Sequence, residues 1–409
     1  MIATCERLHR EIDELAQFSS HPAPAVTRVL FSPEDLAARD WLVARAQEAG
    51  LRVRSDAVGN LFFRWEGSDP SLKAVATGSH IDAIPNAGKY DGVVGVLGGL
   101  EAIRLLQESG FQPRRAMELI LFTAEEPTRF GIGCLGSRML AGTLSASQAA
   151  GLRDEEGRSL EELRAGHYAG SLAEVALEKG TYEAFLELHI EQGPLLEEEG
   201  LDLGAVEKIA APAAFRVRFE GSGGHAGAVL MPERRDAFLA AAEVALAVER
   251  AALESASPDT VGTTGVVQVR PGAINSIPCE VLLEIDFRDT DVAARDTALA
   301  RIQEEASALC DRRGVGWTWQ EINADPPALC DSGLVAGIRG SAERLGFSSR
   351  SMISRAYHDS LFMAQLCPTA MIFLPCYRGY SHRPDEYASP EAIGKGVEVL
   401  AATLKEVAR

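Results

Sequence analysis

Residues 73–110 read KAVATGSHIDAIPNAGKYDGVVGVLGGLEAIRLLQESG. A short apolar run ends in His80 and Asp82, a Gly-containing turn leads to Asp91, and an apolar helix runs from Asp91 to Ser109 with Gly110 as its stop. A second apolar run, MELILFTAEE at 117–126, follows at once and ends in Glu125-Glu126. Strand, crossover helix and strand predict a parallel pair with its polar groups at the strand ends.

Outward from this stretch the same rhythm continues. NLFFRW (60–65) and AFLELHIEQG (184–193) read as further strands, and TAMIFLP (369–375) as a buried one near the end. Ser32-Pro33-Glu34-Asp35 reads as an N-cap, a Pro at N1 and first-turn acids, opening a helix that ends near Gly50. Apolar runs separated by helices predict an α/β domain with a mostly parallel central sheet covered on both faces. The middle of the chain differs. Strands at 215–221, 264–270, 281–289 and 315–321 and helices at 233–254 and 292–312 follow the order β-α-β-β-α-β, that of a ferredoxin-like unit. The expected organisation is a large domain of residues 1–212 and 326–409 carrying an inserted domain of residues 213–325.

Composition narrows the function classes. Lys and Arg number 40 against 59 Asp and Glu, a net charge of −19, which disfavours nucleic acid and anionic membrane surfaces as partners. No apolar run approaches the length of a membrane span, and the first residues lack a signal-peptide pattern. Seven scattered cysteines without a CxxC pair argue against a disulfide framework and for a cytoplasmic protein.

Chemistry-bearing residues gather at strand ends: His80 and Asp82, Glu125 and Glu126, His189, with Asp91 opening a helix. A single histidine reads as structural; imidazoles and carboxylates converging on one sheet edge read as a site for Zn²⁺ or Mn²⁺. Of two adjacent acids on an extended segment, one can bind metal while the other acts as a base.

GSHIDAIPNAGKYDGVVGVLGGLEAI, FTAEEPTRFG, LHIEQGP, GGHAGAV, NSIP and SHRPDE, spread in order from residue 78 to 387, together resemble the hydantoinase/carbamoylase branch of the dinuclear aminoacylase/carboxypeptidase metallohydrolases. The resemblance implies a metal-binding catalytic domain and an inserted domain that serves as lid and dimer contact. It implies two divalent ions per chain, manganese foremost with zinc as the other choice. One would be held by His80, Asp91 and His189 and the other by Asp91, Glu126 and His382, with Asp91 bridging. It also implies Glu125 as general base and Asp82 as the acid orienting His80. Gln192, Asn275 and Arg288 would be substrate contacts, and His225, reaching across a homodimer, would polarise the scissile carbonyl. From the residues alone, Arg288 could equally pair with Asp286 or Asp289. Tyr357-His358-Asp359 stands where most of the branch carries a Gly before the HD pair, so Tyr357 and His358 join the substrate candidates. The activity implied is hydrolysis of the ureido C–N bond of ureidoglycolate, with allantoate or N-carbamoyl amino acids as alternatives and a non-catalytic binding relative as the reading from another class.

Overall fold

A computed structural model describes residues 2–409, the side chains of residues 2–5 and 211 excepted. The chain divides into two compact units. One runs to Lys208 and resumes from Leu329 to Arg409, and the other is Ile209–Ala328.

The first unit is built on one large sheet. Its strands lie in the order Ala328–Leu329, Leu203–Ile209, Thr369–Leu374, Tyr182–Ile190, Ala74–Ser79, Met117–Leu121, Leu61–Trp65 and Arg52–Ser55, with Ser349–Ser354 paired to Leu203–Ile209. The four strands at the centre, from Thr369–Leu374 to Met117–Leu121, are parallel. Both flanks are antiparallel, through Leu203–Ile209 on one side and the pair Leu61–Trp65 and Arg52–Ser55 on the other. The sheet is parallel at its centre, as expected, and mixed through its antiparallel flanks. Five residues join Arg52–Ser55 to Leu61–Trp65, too few for the crossover that a parallel pair requires.

Every residue of Ala74–Ser79 and of Thr369–Leu374 is buried, as expected of central strands covered on both faces. Ser32 caps the helix Pro33–Glu48 by accepting the Asp35 N–H at 3.2 Å, with Pro33 at N1. The helix after the metal-type residues spans Val93–Glu108; it starts two residues later than expected because Gly92 adopts φ +65°.

The second unit has its own core. Its four strands lie antiparallel in the order Val261–Arg270, Glu280–Asp289, Ala211–Glu220 and Gly316–Ala324. The helices Ala237–Leu253 and Val292–Arg313 pack through Val244 and Ile302 on Val217, Phe219, Leu283 and Phe287. Along Glu280–Asp289 burial alternates strictly, so one face meets the helices and the other is polar. Connection order and strand order are those of a ferredoxin-like unit. The helix expected from residue 233 begins only at Ala237, because Asp236 turns its carboxylate onto the N–H groups of Phe238 and Leu239 at 2.9 and 3.3 Å.

Among the described residues no helix is long and apolar enough to cross a membrane. Six cysteines carry no disulfide; the Cys5 side chain lies outside those described.

Candidate metal centre

Three neighbouring parallel strands bring the polar residues to one edge. His80 and Asp82 follow Ala74–Ser79, Glu125 and Glu126 follow Met117–Leu121, and His189 lies one residue from the end of Tyr182–Ile190. This is the carboxyl edge of the parallel strands, where open sheets hold their ligands. Asp91 precedes the helix Val93–Glu108, and His382 comes from the loop after Thr369–Leu374.

Asp91 divides its carboxylate between two groups. Its Oδ1 stands 3.6 Å from His80 Nε2 and 3.2 Å from His189 Nε2. Its Oδ2 stands 3.4 Å from His382 Nε2, which is 3.2 Å from Glu126 Oε1. The ligand atoms of His80, Asp91 and His189 lie within 4.8 Å of one another, as do those of Asp91, Glu126 and His382. Donors about 2.1 Å from a tetrahedral ion stand roughly 3.4 Å apart, so the spacing fits cations. A third such group, Glu187, His189 and His358, is already consumed by internal bonds. Glu187 accepts Ser79 Oγ at 2.7 Å and Ser360 Oγ at 2.6 Å, and His358 Nε2 lies 2.9 Å from Ser354 Oγ.

The two buried imidazoles are oriented by main chain. His80 Nδ1 lies 3.0 Å from the Asp82 carbonyl and His189 Nδ1 2.9 Å from the Ile190 carbonyl. A carbonyl only accepts, so each Nδ1 carries hydrogen, and Nε2, which faces Asp91, is the nitrogen left for an ion once any proton on it has gone. Asp82 thus orients His80 through its carbonyl; its carboxylate is 3.6 Å from Nδ1. That carboxylate instead accepts the N–H groups of Glu125 and Glu126 at 3.3 and 3.0 Å and holds both acids.

Electrostatically the cluster is short of positive charge. Burial alone would lower His80, but the charge of Glu125 and then those of Asp82 and Asp91 outweigh it and hold the imidazole well above its ordinary range. For Asp91 burial is outweighed by His189 and His80, which keep its carboxyl well below the usual range. Glu125 goes the other way. Burial first, then the charges of Glu126, Asp359 and Asp91, push it well above the carboxylate range against the pull of His80. Its Oε2 is 3.7 Å from His80 Nε2, and it belongs to neither ligand group.

The backbone around the site is bent into unusual conformations. Ala124, Cys134, Gln192 and His382 all have φ between +51° and +60°, conformations that cost about 1–3 kcal/mol each and collect at functional sites. At Gly92 (φ +65°) a Cβ would stand 2.4 Å from His80 Nε2, so the space beside this imidazole exists only because the residue is glycine.

The remaining candidates fall in several places. Gln192 Nε2 lies 2.7 Å from Asp91 Oδ2, while its buried Oε1 finds no partner. His358 is buried with its ring set edge-on against His189 at 4.6 Å. The Tyr357 hydroxyl accepts from Arg138 at 3.0 Å. In the second unit, His225 and Asn275 come together across a short antiparallel ribbon, where Ala226 donates its N–H to the Asn275 carbonyl at 2.8 Å. His225 is exposed, and its Nδ1 accepts the Gly227 N–H at 3.1 Å. Arg288 pairs with Asp286 through two bonds of 2.6 and 2.9 Å, so of its two possible acidic partners it takes the one on its own face of the strand.

Sequence reasoning missed Cys134, Glu187 and Glu386. Cys134 Sγ lies 3.5 Å from Glu125 Oε1. Glu187 joins the strand end before His80 to the strand bearing His189. Glu386 is buried against Tyr90 and Asp91. Glu386 stands in the quoted motif SHRPDE and Glu187 in the quoted run AFLELHIEQG, but nothing local marks either as reaching the site.

Residues 76–406 match the Peptidase family M20/M25/M40. The chain is similar to the ureidoglycolate hydrolase of Arabidopsis thaliana, 56% identical over 408 residues that cover 98% of this chain and 86% of that one. Among solved structures, AtUAH in complex with glyoxylate matches at a TM-score of 0.92 and 56% identity, covering 99% of this chain and 97% of that one. A hydantoinase/carbamoylase family amidase from Burkholderia vietnamiensis matches at a TM-score of 0.91 and 36% identity, with 99% and 97% covered. The chain belongs to Peptidase family M20/M25/M40 and stands, within that family of hydrolases, with the ureidoglycolate hydrolases and the hydantoinase/carbamoylase amidases.

Proposed function

We propose that this chain hydrolyses the ureido C–N bond of ureidoglycolate, releasing ammonia and leading to glyoxylate and carbon dioxide, with two divalent ions, manganese foremost, in a cytoplasmic homodimer. The observation that carries the reading is the Asp91 carboxylate, which offers one oxygen to each of two ligand groups while Glu125 stands beside them uncommitted. The substrate is supported by the 56% identity to a protein named ureidoglycolate hydrolase and by the likeness to a structure that holds glyoxylate.

Divalent cations bound there supply positive charge that makes water acidic and stabilises developing negative charge. The chain's own groups do the rest. Glu125 takes the proton of the attacking water and returns it to the leaving nitrogen, a task open to a carboxyl that stands beside both ligand groups and belongs to neither. The unpartnered Oε1 of Gln192 is an acceptor for a ureido N–H. The family resemblance supports His225 of a partner chain as the group that polarises the scissile carbonyl, and Asn275, Arg288, Tyr357 and His358 as further substrate contacts. Leu239, Leu246 and Leu253, seven residues apart and all exposed on one helix, support the homodimer together with the open edge strand Val261–Arg270. The free thiols of the six described cysteines support the cytoplasm.

The test is metal content followed by ammonia release from ureidoglycolate, allantoate and N-carbamoyl amino acids. Two ions per chain and the highest kcat/KM on ureidoglycolate are expected. Faster turnover of allantoate or of a carbamoyl amino acid would reassign the substrate, and no turnover of any ureido acid with both ions bound would make the chain a binding relative.

A further inference from the structure

Glu386 takes no direct part in the proposed reaction, yet it is only 5% exposed. Its Oε1 accepts the main-chain N–H groups of Tyr90 and Asp91 at 2.8 and 3.1 Å. Its Oε2 lies 3.0 Å from Ser381 Oγ, and the same hydroxyl oxygen lies 2.6 Å from Asp91 Oδ2. One carboxylate therefore ties down the main chain of the residue that both ligand groups share, and it faces that residue's side chain across the Ser381 hydroxyl, whose single hydrogen serves one of the two acids at a time. Room for it exists because residue 88 is glycine: a Cβ there would stand 2.4 Å from the Glu386 Cβ and Oε1. A buried acid placed beside another acid is costly unless its bonds are specific. Here they are, and they lead to Tyr90–Asp91 and to Ser381, the residue next to His382.

We propose that Glu386 is the positioning residue of the bridging carboxylate, clamping Tyr90–Asp91 to Ser381 so that Asp91 presents one oxygen to each ligand group and both ions bind together. The inference rests on the two-ion reading. Loss of an outer partner of this kind typically weakens metal affinity by about 10–100-fold.

The experiment titrates Mn²⁺ into metal-free wild type, Glu386→Ala, Glu386→Gln and Gly88→Ala, following bound ion by equilibrium dialysis and magnetic coupling between ions by electron paramagnetic resonance. Glu386→Ala should bind the ions about 10–100-fold more weakly and lose the coupled signal. Glu386→Gln should stay within a few-fold of wild type, since an amide oxygen can accept the two N–H groups and its NH₂ can donate to Ser381. Gly88→Ala should mimic Glu386→Ala with the acid still present. The inference falls if Glu386→Ala or Gly88→Ala holds two coupled ions with wild-type affinity, or if Gln is as damaging as Ala. Should Glu386→Ala fail to fold, the other two variants decide. A wild type that binds fewer than two ions would overturn the parent reading, an outcome visible before any variant is compared.

Discussion

The main-chain N–H of Gly92 donates to Nε2 of His189 across 3.1 Å. When Nε2 is unprotonated it accepts that bond, and Nδ1, 2.9 Å from the Ile190 carbonyl, carries the hydrogen. The other ring nitrogen is already committed to the Ile190 carbonyl, so Nε2 is the one open to an ion, which would displace the Gly92 N–H and any proton shared with Asp91. Preorganisation of this kind lets affinity be spent on the ion instead of on turning rings.

Gly92→Ala should destroy this arrangement. The new Cβ would fall 2.4 Å from His80 Nε2 and would have to adopt φ +65°. Left-handed backbone alone costs an alanine about 1–2 kcal/mol. Metal analysis should show loss of the ion at His80, Asp91 and His189, and thermal unfolding should shift down. A variant with full metal content would mean that the loop can move aside.

Glu125→Gln and Glu126→Gln should separate chemistry from binding. The first should keep both ions and lose turnover by about 10²–10⁴-fold, because only the proton carrier is removed. The second should lose ion affinity, since its Oε1 stands 3.2 Å from His382 Nε2 in a ligand group. Metal content and kcat, measured on the same preparations, check both; reversed phenotypes would exchange the two assignments.

The proton on His382 should set the pH dependence of metal binding. The bond with Glu126, opposed by burial and helped by the charges of Glu126, Asp91 and Glu386, raises this imidazole to about 9 without metal. In the metal-free protein the pair therefore adds stability that is complete below about pH 6.5 and is lost as pH rises through about 9. An ion must displace that proton, so apparent affinity should climb with pH by up to about tenfold per unit between about 7 and 9. Mn²⁺ titrations at three pH values measure the slope, and a flat profile would remove His382 from the ligands.

Tyr357→Gly should widen substrate choice. Removing the ring opens space and takes away the hydroxyl that accepts from Arg138 at 3.0 Å. Relative kcat/KM should move toward larger ureido acids; an unchanged profile would leave Tyr357 as a packing residue.

Mixing His225→Ala chains with Glu125→Gln chains tests whether His225 serves a partner's site, as the family resemblance implies. Each homodimer should be nearly inactive. After random exchange about half the dimers are mixed and one of their two sites is intact, so activity should return to roughly a quarter of wild type. Confirmed exchange without recovery would restrict His225 to its own chain.

Much of this architecture is local in origin and therefore legible. Apolar runs at 74–79, 117–121, 182–190 and 369–374 announce central strands, because residues buried on both faces leave no alternation to confuse. His80, Glu126 and His189 stand directly after or within such runs, so topology alone brings them together. What escaped was set by partners far away in sequence. Glu386 looks like a surface acid in a turn until Tyr90 and Asp91 arrive, almost three hundred residues upstream. Asp82 could be placed beside His80, but which of its oxygens meets the ring depends on where the main chain of Glu125 and Glu126 passes. The helices start at Val93 and Ala237, a few residues later than the sequence pattern predicts, because the Gly92 backbone bends and the Asp236 side chain caps.

The strand Thr369–Leu374 lies between Leu203–Ile209 and Tyr182–Ile190, although the whole of unit two is translated before it. On a ribosome adding about 5–20 residues per second, the gap in the middle of the sheet stays open for on the order of ten seconds. During that interval the nascent chain exposes two unpaired strand edges and has His80, Asp91 and His189 without the segment bearing His382 and Glu386. Unit two, with its separate core, can condense meanwhile. The last strand then closes the sheet and completes the metal centre in one event, so a chain cut short before residue 369 would leave behind an adhesive half-sheet rather than a weakened enzyme.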